Sequence, residues 1–279
     1  MGDAALYVVA TPLGNLQDIT LRALSVLQSV DLIAAEDTRV TRRLLQHFAI
    51  GTRSMSLHEH NEARVAARVI ALLRQGKSVA LVSDAGTPAI SDPGALLVRR
   101  VREDGARVVP VPGPSALTAA LSVAGLQDGQ FLFLGFLPAQ QAARRRELEA
   151  VRGLPFALVL YEAPHRVRET VSDLAEIFAA QRALVIGREL TKLFETVHRC
   201  ALGEALVWLD ADPNRLRGEF VLIVEGAAVA GDALAEAGER VLGILLAELP
   251  LKQAVQLATQ ITGAKRNALY QRALGLKSN

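Results

Sequence analysis

The residues best suited to chemistry lie between Val79 and Gly94, in the stretch VALVSDAGTPAISDPG. An apolar β-type run, Val79 to Val82, empties into Ser83-Asp84 and a Gly/Pro-rich apex. A helical pattern resumes after Asp92-Pro93-Gly94. In an open α/β sheet, ligands bind in the crevice outside the carboxyl ends of the strands. Here that crevice receives a carboxylate (Asp84), small residues that let backbone approach a ligand (Ala85, Gly86), and two hydroxyls, Thr87 and Ser91. Gly86-Thr87-Pro88 alone would read equally well as a tight turn.

The same design recurs twice. Leu6 to Val9 ends in Thr11-Pro12-Leu13-Gly14-Asn15, and Val108 to Val111 runs into Pro112-Gly113-Pro114-Ser115, with a helical stretch from Ala116. Ser115 is suited to cap that helix. Three strand ends with Gly/Pro tips in one half of the chain imply three walls of one pocket. None has the G-x-G-x-x-G or G-x-x-x-x-G-K-[ST] pattern, so dinucleotide and P-loop phosphate sites are poorly supported.

The elements that position these tips alternate. Helical spacing appears at Leu21, Leu24, Leu27 and Val30, at Leu44, Leu45 and Phe48, and at Val65, Val69, Leu72 and Leu73. Strand-like runs fall at Leu32 to Ala35, Ser78 to Val82 and Val108 to Val111. This βα pattern predicts a mostly parallel sheet. Further strands are expected at Phe131 to Gly135, Phe156 to Tyr161, Ala183 to Gly187 and Phe220 to Val224, with a helix over His165 to Ala179, so the second half makes its own sheet. Beyond Gly226 the linker GAAVAGD leads to three helical stretches near 233–248, 252–262 and 264–275. The Thr262-Gly263 turn fits either a helix-turn-helix unit or a plain helical cap.

At 279 residues the chain can bury roughly three quarters of its unfolded surface. The single cysteine, Cys200, excludes an internal disulfide, and no apolar run approaches a membrane span, so the chain reads as cytoplasmic. A formal charge of +2 does not by itself imply nucleic acid. Its distribution is more telling. Arg39, Arg42, Arg43 and Arg53 occupy a stretch without an acid, as do Lys252, Lys265, Arg266, Arg272 and Lys277, and Arg144 to Arg146 form a third cluster. Such segregation is the footprint of a polyanion partner, or else of solvated helix faces. His58-Glu59-His60 lacks the further ligands a metal site needs, and no metal is expected.

TPLGN, AEDTR, LHEHN, LVSDAGTPAISDPG, VPGPSA, GFLP, YEAPHR, RELTK and GEFVLIVEG occur in this order between Leu6 and Gly226. Together they resemble the tetrapyrrole-methylase superfamily of S-adenosylmethionine-dependent enzymes, in its branch that methylates bacterial small-subunit ribosomal RNA. The resemblance implies two α/β domains, 1–113 and 114–226, with the cofactor in the cleft between them, and a helical extension over 227–279 with a possible role in RNA binding. It implies a ribose 2′-O-methyltransferase acting on a cytidine in the decoding region of 16S rRNA within the small subunit, S-adenosylmethionine as donor, and a homodimer. A C-methyltransferase of a porphyrin precursor is the alternative within the same superfamily. A nonenzymatic RNA-binding module is a third reading, disfavoured because all three tips look intact.

Residue by residue, the resemblance assigns donor binding to Pro12, Leu13 and Gly14, to Asp84, Ala85, Gly86, Ile90 and Ser91, and to Ser115 and Ala116. Tyr161, Leu190, Gly218 and Glu219 would close the pocket from the second domain. Asp84 can accept from the donor's ammonium group. RNA contacts are expected at Arg39, Asn61, Arg144, Arg145, His165, Arg166, Arg188, Lys265 and Arg266. Positioning donor and nucleophile can contribute roughly 7–11 kcal/mol, whereas a general base adds about 10²–10⁴ in rate. For that base the candidates are Lys192, with a pKa lowered by desolvation, His58, and Glu36 or Asp37. Each also has an ordinary role: an acid pairing Arg39, a histidine capping the following helix, Lys192 pairing Glu195.

Overall fold

The computed structural model describes residues 4–58, 60–126, 129–227 and 231–277. Glu59 of the LHEHN motif and linker residues 228–230 lie outside it.

The first sheet holds β1 (Ala5–Val9), β2 (Leu32–Ala35), β3 (Ser54–Ser56), β4 (Val79–Val82) and β5 (Arg107–Val111), in the order β3-β2-β4-β1-β5. Every pairing is parallel. All four residues of β4 are buried, the unbroken apolar run required of an inner parallel strand covered on both faces. Helices α1 (Leu21–Ser29), α2 (Thr38–His47), α3 (Glu62–Arg74) and α4 (Ala95–Glu103) provide that cover. Leu6, Ala34, Val79 and Leu81 pack on α3 and α4 on one face, and Val9, Ile33, Ala80 and Val82 pack with α1 and Leu45 on the other. Because the strands are parallel, the carboxyl ends of β1, β2, β4 and β5 share one edge. The topology therefore gathers the Gly/Pro tips.

The second sheet holds β6 (Phe131–Phe136), β7 (Ala157–Glu162), β8 (Ala183–Arg188), β9 (Thr196–Ala201) and β10 (Phe220–Val224), in the order β6-β7-β10-β8-β9. Only β6 and β7 pair in parallel; the other pairings are antiparallel. Phe220, at the start of β10, lies beside Glu162 and Arg188, the last residues of β7 and β8. One edge thus carries the ends of β6, β7 and β8 together with the entry to β10. Helix α5 (Ala116–Val123) packs on this sheet through Ala120 against Val159, Val185 and Val221. The opposite face is covered by α6 (Gln141–Val151), α7 (Val167–Ile177) and α8 (Leu202–Asp210).

Strands β3 and β9 were not anticipated. Both are edge strands, with sequences SMS and TVHRCA that carry no apolar run, because an edge strand half open to water has no need of one.

Helices α9 (Gly231–Glu248), α10 (Leu251–Thr262) and α11 (Arg266–Lys277) form a unit with its own core of Leu242, Val255, Ala258, Leu269 and Ala273. Gly263 ends α10 at φ +72°, the left-handed stop that favours glycine. Lys265 and Arg266 are exposed just beyond it. Among the described residues no helix is long and apolar enough to cross a membrane.

Candidate active site

The two sheet edges face each other across a cavity of about 410 Å3, within the range of roughly 300–1,000 Å3 that small-molecule sites occupy. The first wall is built by cross-linked tips. Thr11 and Gly86 exchange two backbone hydrogen bonds of 2.9 Å, and the Thr11 hydroxyl donates to the Ser83 carbonyl at 3.0 Å. Thr87 donates to the Pro114 carbonyl at 3.0 Å, fixing the second tip to the third. The Asp37 N–H donates to Asp84 Oδ1 at 2.9 Å, and the Asp84 N–H to Glu36 Oε2 at 3.3 Å. The N-terminus of α2 is thereby tied to the end of β4.

The second wall closes on the first at named points. The Tyr161 hydroxyl accepts from the Leu117 N–H at 3.0 Å. A side chain at Gly14 would collide with the Lys192 stem, and one at Gly135 would come within 2.9 Å of Ser91 Oγ. Both facing loops hold non-glycine residues at positive φ: Ala89 and Ser91 on one, Glu189 and Thr191 on the other. Such conformations cost on the order of 1–3 kcal/mol each and persist where surrounding structure imposes them. Of the five such residues among those described, four sit at the cleft and the fifth, Ala49, follows α2.

Of the expected donor-binding residues, Leu13, Asp84, Ala85, Gly86, Ile90, Ser91, Ser115, Ala116, Tyr161, Leu190 and Glu219 line this cavity. Pro12 and Gly14 line a smaller neighbouring pocket. Gly218 lines neither; at φ +91° it leaves room for Glu189, whose Oε1 accepts from the Glu219 N–H at 2.9 Å. The sequence reading missed Phe136, Glu162 and Asp92. Asp92 was legible as the second Ser-Asp pair of the motif, but the Pro-Gly after it resembled an ordinary helix start.

Among the described residues no lysine, arginine or histidine lines the cavity, while Glu36, Asp84, Asp92, Glu162 and Glu219 do. Two of these acids are ion-paired to cations behind the wall: Glu162 pairs Arg166 at 3.3 Å and accepts from Thr170 at 2.6 Å, and Glu219 pairs Lys192 at 2.9 Å. Asp92 is different. Burial, then the negative charge of Glu36 and more weakly that of Asp84, push its carboxyl up to about 6, against a hydrogen bond from Ser83. Burial also raises Asp84.

Lys192 requires a correction. Burial alone would lower its pKa, but hydrogen bonds of 2.9 Å to both Glu189 and Glu219 outweigh it and raise the pKa above the ordinary lysine value. The expected desolvated, neutral amine is therefore not what the fold builds. Its partners are Glu189 and Glu219, and Glu195 instead accepts from the Thr191 N–H. His58 is exposed and lies outside the cavity lining, its backbone N–H donating to Asn61 Oδ1. Glu36 lines the cavity.

The expected RNA contacts divide in two. Arg144 is fully buried, with Nε on Asp173 at 2.6 Å. It cannot meet RNA, and that expectation is corrected. Arg145 pairs Glu176 and Asp173, Arg166 donates to the Leu137 and Pro138 carbonyls, and Arg188 donates to the Arg217 and Phe194 carbonyls. Asn61 spans its own turn, from Ser56 to His58. Arg39, paired to Asp37 but 85 % exposed, remains accessible, as do His165, Lys265 and Arg266.

The sequence profile described as Tetrapyrrole (Corrin/Porphyrin) Methylases matches residues 5–206, which carry most of both sheets. The chain belongs to the tetrapyrrole methylase family. A second profile, the RsmI C-terminal HTH domain, matches residues 232–277. Within the family, the chain is 52% identical over 269 residues to the ribosomal RNA small subunit methyltransferase I of Escherichia coli O157:H7, covering 96% of this chain and 94% of that one. It is 52% identical over 276 residues to the protein of the same name from Pseudomonas aeruginosa, covering 98% of each. Among solved structures, the methylase fold is shared with the methyltransferase CobJ (TM-score 0.59, 20% identity, 81% of this chain and 95% of that one). It is also shared with uroporphyrin-III C-methyl transferase from Thermus thermophilus complexed with S-adenyl homocysteine (TM-score 0.57, 17% identity, 80% and 97%).

Proposed function

We propose that this chain is a methyltransferase of small-subunit ribosomal RNA that uses S-adenosylmethionine as donor and methylates the ribose 2′-hydroxyl of a cytidine in the decoding region. The observation that carries the donor assignment is the cavity's charge: five carboxylates line it, and among the described residues no cationic side chain does. A ligand bearing a sulfonium and an ammonium compensates that field, which low-dielectric walls strengthen. The full-length similarity to small-subunit rRNA methyltransferases supports the acceptor.

When bound, the donor supplies a methyl group on a positively charged sulfur that is its own leaving group. The chain's residues do the rest. Asp84 holds the ammonium group, and the Gly86 and Ser115 backbones approach the rest of the donor. Tyr161, tied to Leu117, fixes the second wall. The Asp92 carboxylate takes the proton from the 2′-hydroxyl, with Glu36 beside it keeping that carboxylate basic. Lys192, held charged by two acids at the rim, clamps the Glu189 and Glu219 loops over the Gly14 tip.

Asp84→Ala is expected to weaken donor binding by about 1.5–3 kcal/mol, the worth of a hydrogen bond to a charged group. Calorimetry with S-adenosylhomocysteine finding wild-type affinity would remove Asp84 from the donor site. Lys192→Met should leave the pH dependence of turnover in place, because its amine is already protonated throughout the neutral range. Loss of a pH limb in that variant would restore Lys192 as the proton acceptor.

The helical unit adds affinity for RNA through Lys265 and Arg266, exposed at the start of α11 as in a recognition helix. Their joint replacement by Gln should flatten the log–log salt dependence of binding by about 0.7–0.9 for each phosphate no longer neutralised. An unchanged slope would make the unit a cap. We also propose a homodimer in the cytoplasm; support for pairing comes from Leu193 and Phe194, large apolar side chains left open beside the cleft.

A further inference from the structure

A second pocket, of about 280 Å3, opens beside the main cavity and shares Leu13 and Asp84 with it. We propose that it receives the RNA nucleotide adjacent to the one being methylated, with the base in the pocket and its phosphate on Arg43. The inference rests on the assignment of rRNA as acceptor and extends it to a subsite.

The pocket is built between the first tip and α2. Its walls are mostly apolar, with Leu16 on the tip side and Val40 and Leu44 on the helix. Leu16 and Val40 remain partly open to solvent, at 37% and 39%. Thr41, next to Val40 on α2, also lines the pocket and is 3% exposed, yet its Oγ1 has no hydrogen-bond partner. A hydroxyl offers one donor and two acceptors, and buried polar groups of native proteins are nearly always paired. An unpaired hydroxyl in a pocket wall is a place kept for a polar ligand atom. Arg43 also lines the pocket, is exposed, and pairs with no acid among the described residues.

Apolar faces, one recessed hydroxyl left unpaired while those of Thr11 and Ser83 are engaged, and an exposed cation match a single nucleotide. A base presents apolar faces and a hydrogen-bonding edge, and single-stranded RNA is read through splayed, unstacked bases. The shared wall limits the distance. An occupant of this pocket lies one residue wall, Leu13 and Asp84, away from the methyl-transfer site, so a neighbouring nucleotide of the same strand is the ligand within reach. The arrangement also resolves an electrostatic conflict. The main cavity is acidic and would repel phosphate, whereas α2 presents Arg39, Arg42 and Arg43 with no acid between them. Backbone charge is thus held at the rim while the neutral ribose enters.

The test is steady-state methylation of unmethylated small ribosomal subunits by wild type, Thr41→Val and Arg43→Gln, with donor affinity measured separately by calorimetry. Thr41→Val keeps the shape and deletes the hydroxyl; Arg43→Gln changes an exposed side chain and leaves folding intact. Thr41→Val is expected to raise KM for the subunit by about 2- to 10-fold, the range for one hydrogen bond, with kcat and donor affinity unchanged. Arg43→Gln is expected to raise KM and to flatten its salt dependence by the share of about one phosphate. An unchanged KM in both variants overturns the subsite while wild-type activity still upholds the acceptor assignment. Weaker donor binding in Thr41→Val assigns the pocket to the donor and overturns it as well. A wild type inactive on subunits overturns both readings.

Discussion

Asp92→Asn is expected to slow single-turnover methyl transfer at saturating donor by about 10²–10⁴-fold, the contribution of a general base, while donor affinity falls only by the factor through which the donor shifts the Asp92 titration. The amide keeps the shape and the hydrogen bond with Ser83 but cannot accept the ribose proton. The pH dependence gives the sharper signature. Burial and the Glu36 and Asp84 charges set the Asp92 carboxyl near 6, and only its deprotonated form is competent. In the wild type, kcat/KM should therefore fall about tenfold per unit below pH 6 and level off above pH 7, since that ratio reports the free enzyme. A bound cationic donor favours the carboxylate, so the same limb in kcat should move to lower pH. The variant should lose the limb altogether. A variant that retains the limb at a reduced rate would transfer the role to Glu36.

Arg144→Ala is expected to destabilise the fold by up to about 3–5 kcal/mol, because it removes the buried cation of Asp173 and leaves that carboxylate only Gln141 and the half-exposed Arg145, which reaches it at 3.3 Å and is shared with Glu176. The Arg144 and Asp173 side chains are about 1% exposed and meet at 2.6 Å. Replacing Arg144 by Met together with Asp173 by Leu should recover much of the loss, since an apolar pair of similar volume removes the uncompensated charge. Urea unfolding of the three proteins checks this. An unchanged midpoint in Arg144→Ala, accompanied by weaker RNA binding, would return Arg144 to the RNA interface.

Arg144 also shows where sequence reading stops. A run of three arginines looks like a basic face, yet Arg144 stands four residues before Leu148, and both are buried on the inner side of α6. The spacing was visible. What it could not show was Asp173, brought opposite by α7. The same holds for Lys192: Glu189, three residues away, was readable as a partner, but Glu219 arrives only because β10 runs antiparallel to β8.

The pocket tips were legible for a simple reason. Gly and Pro punctuate strand ends, and a parallel sheet puts all such ends on one edge. Edge strand β9 was not, since its pairing with β8 is made by backbone hydrogen bonds rather than by an apolar pattern. Asp92 fell between. Its residue type and place in the motif were plain, but its basicity comes from burial and from Glu36 and Asp84 on other segments, and that proximity is a property of the fold.

The most direct test of the central claim is transfer of a labelled methyl group from S-adenosylmethionine to naked rRNA, isolated small subunits and assembled ribosomes, followed by mapping of the label. The account predicts one methyl group on a ribose 2′-hydroxyl of small-subunit rRNA, read as a site resistant to alkaline cleavage, and its loss with Asp92→Asn. Label on a base, or no transfer to any of the three RNAs while a porphyrin precursor is methylated, would contradict it.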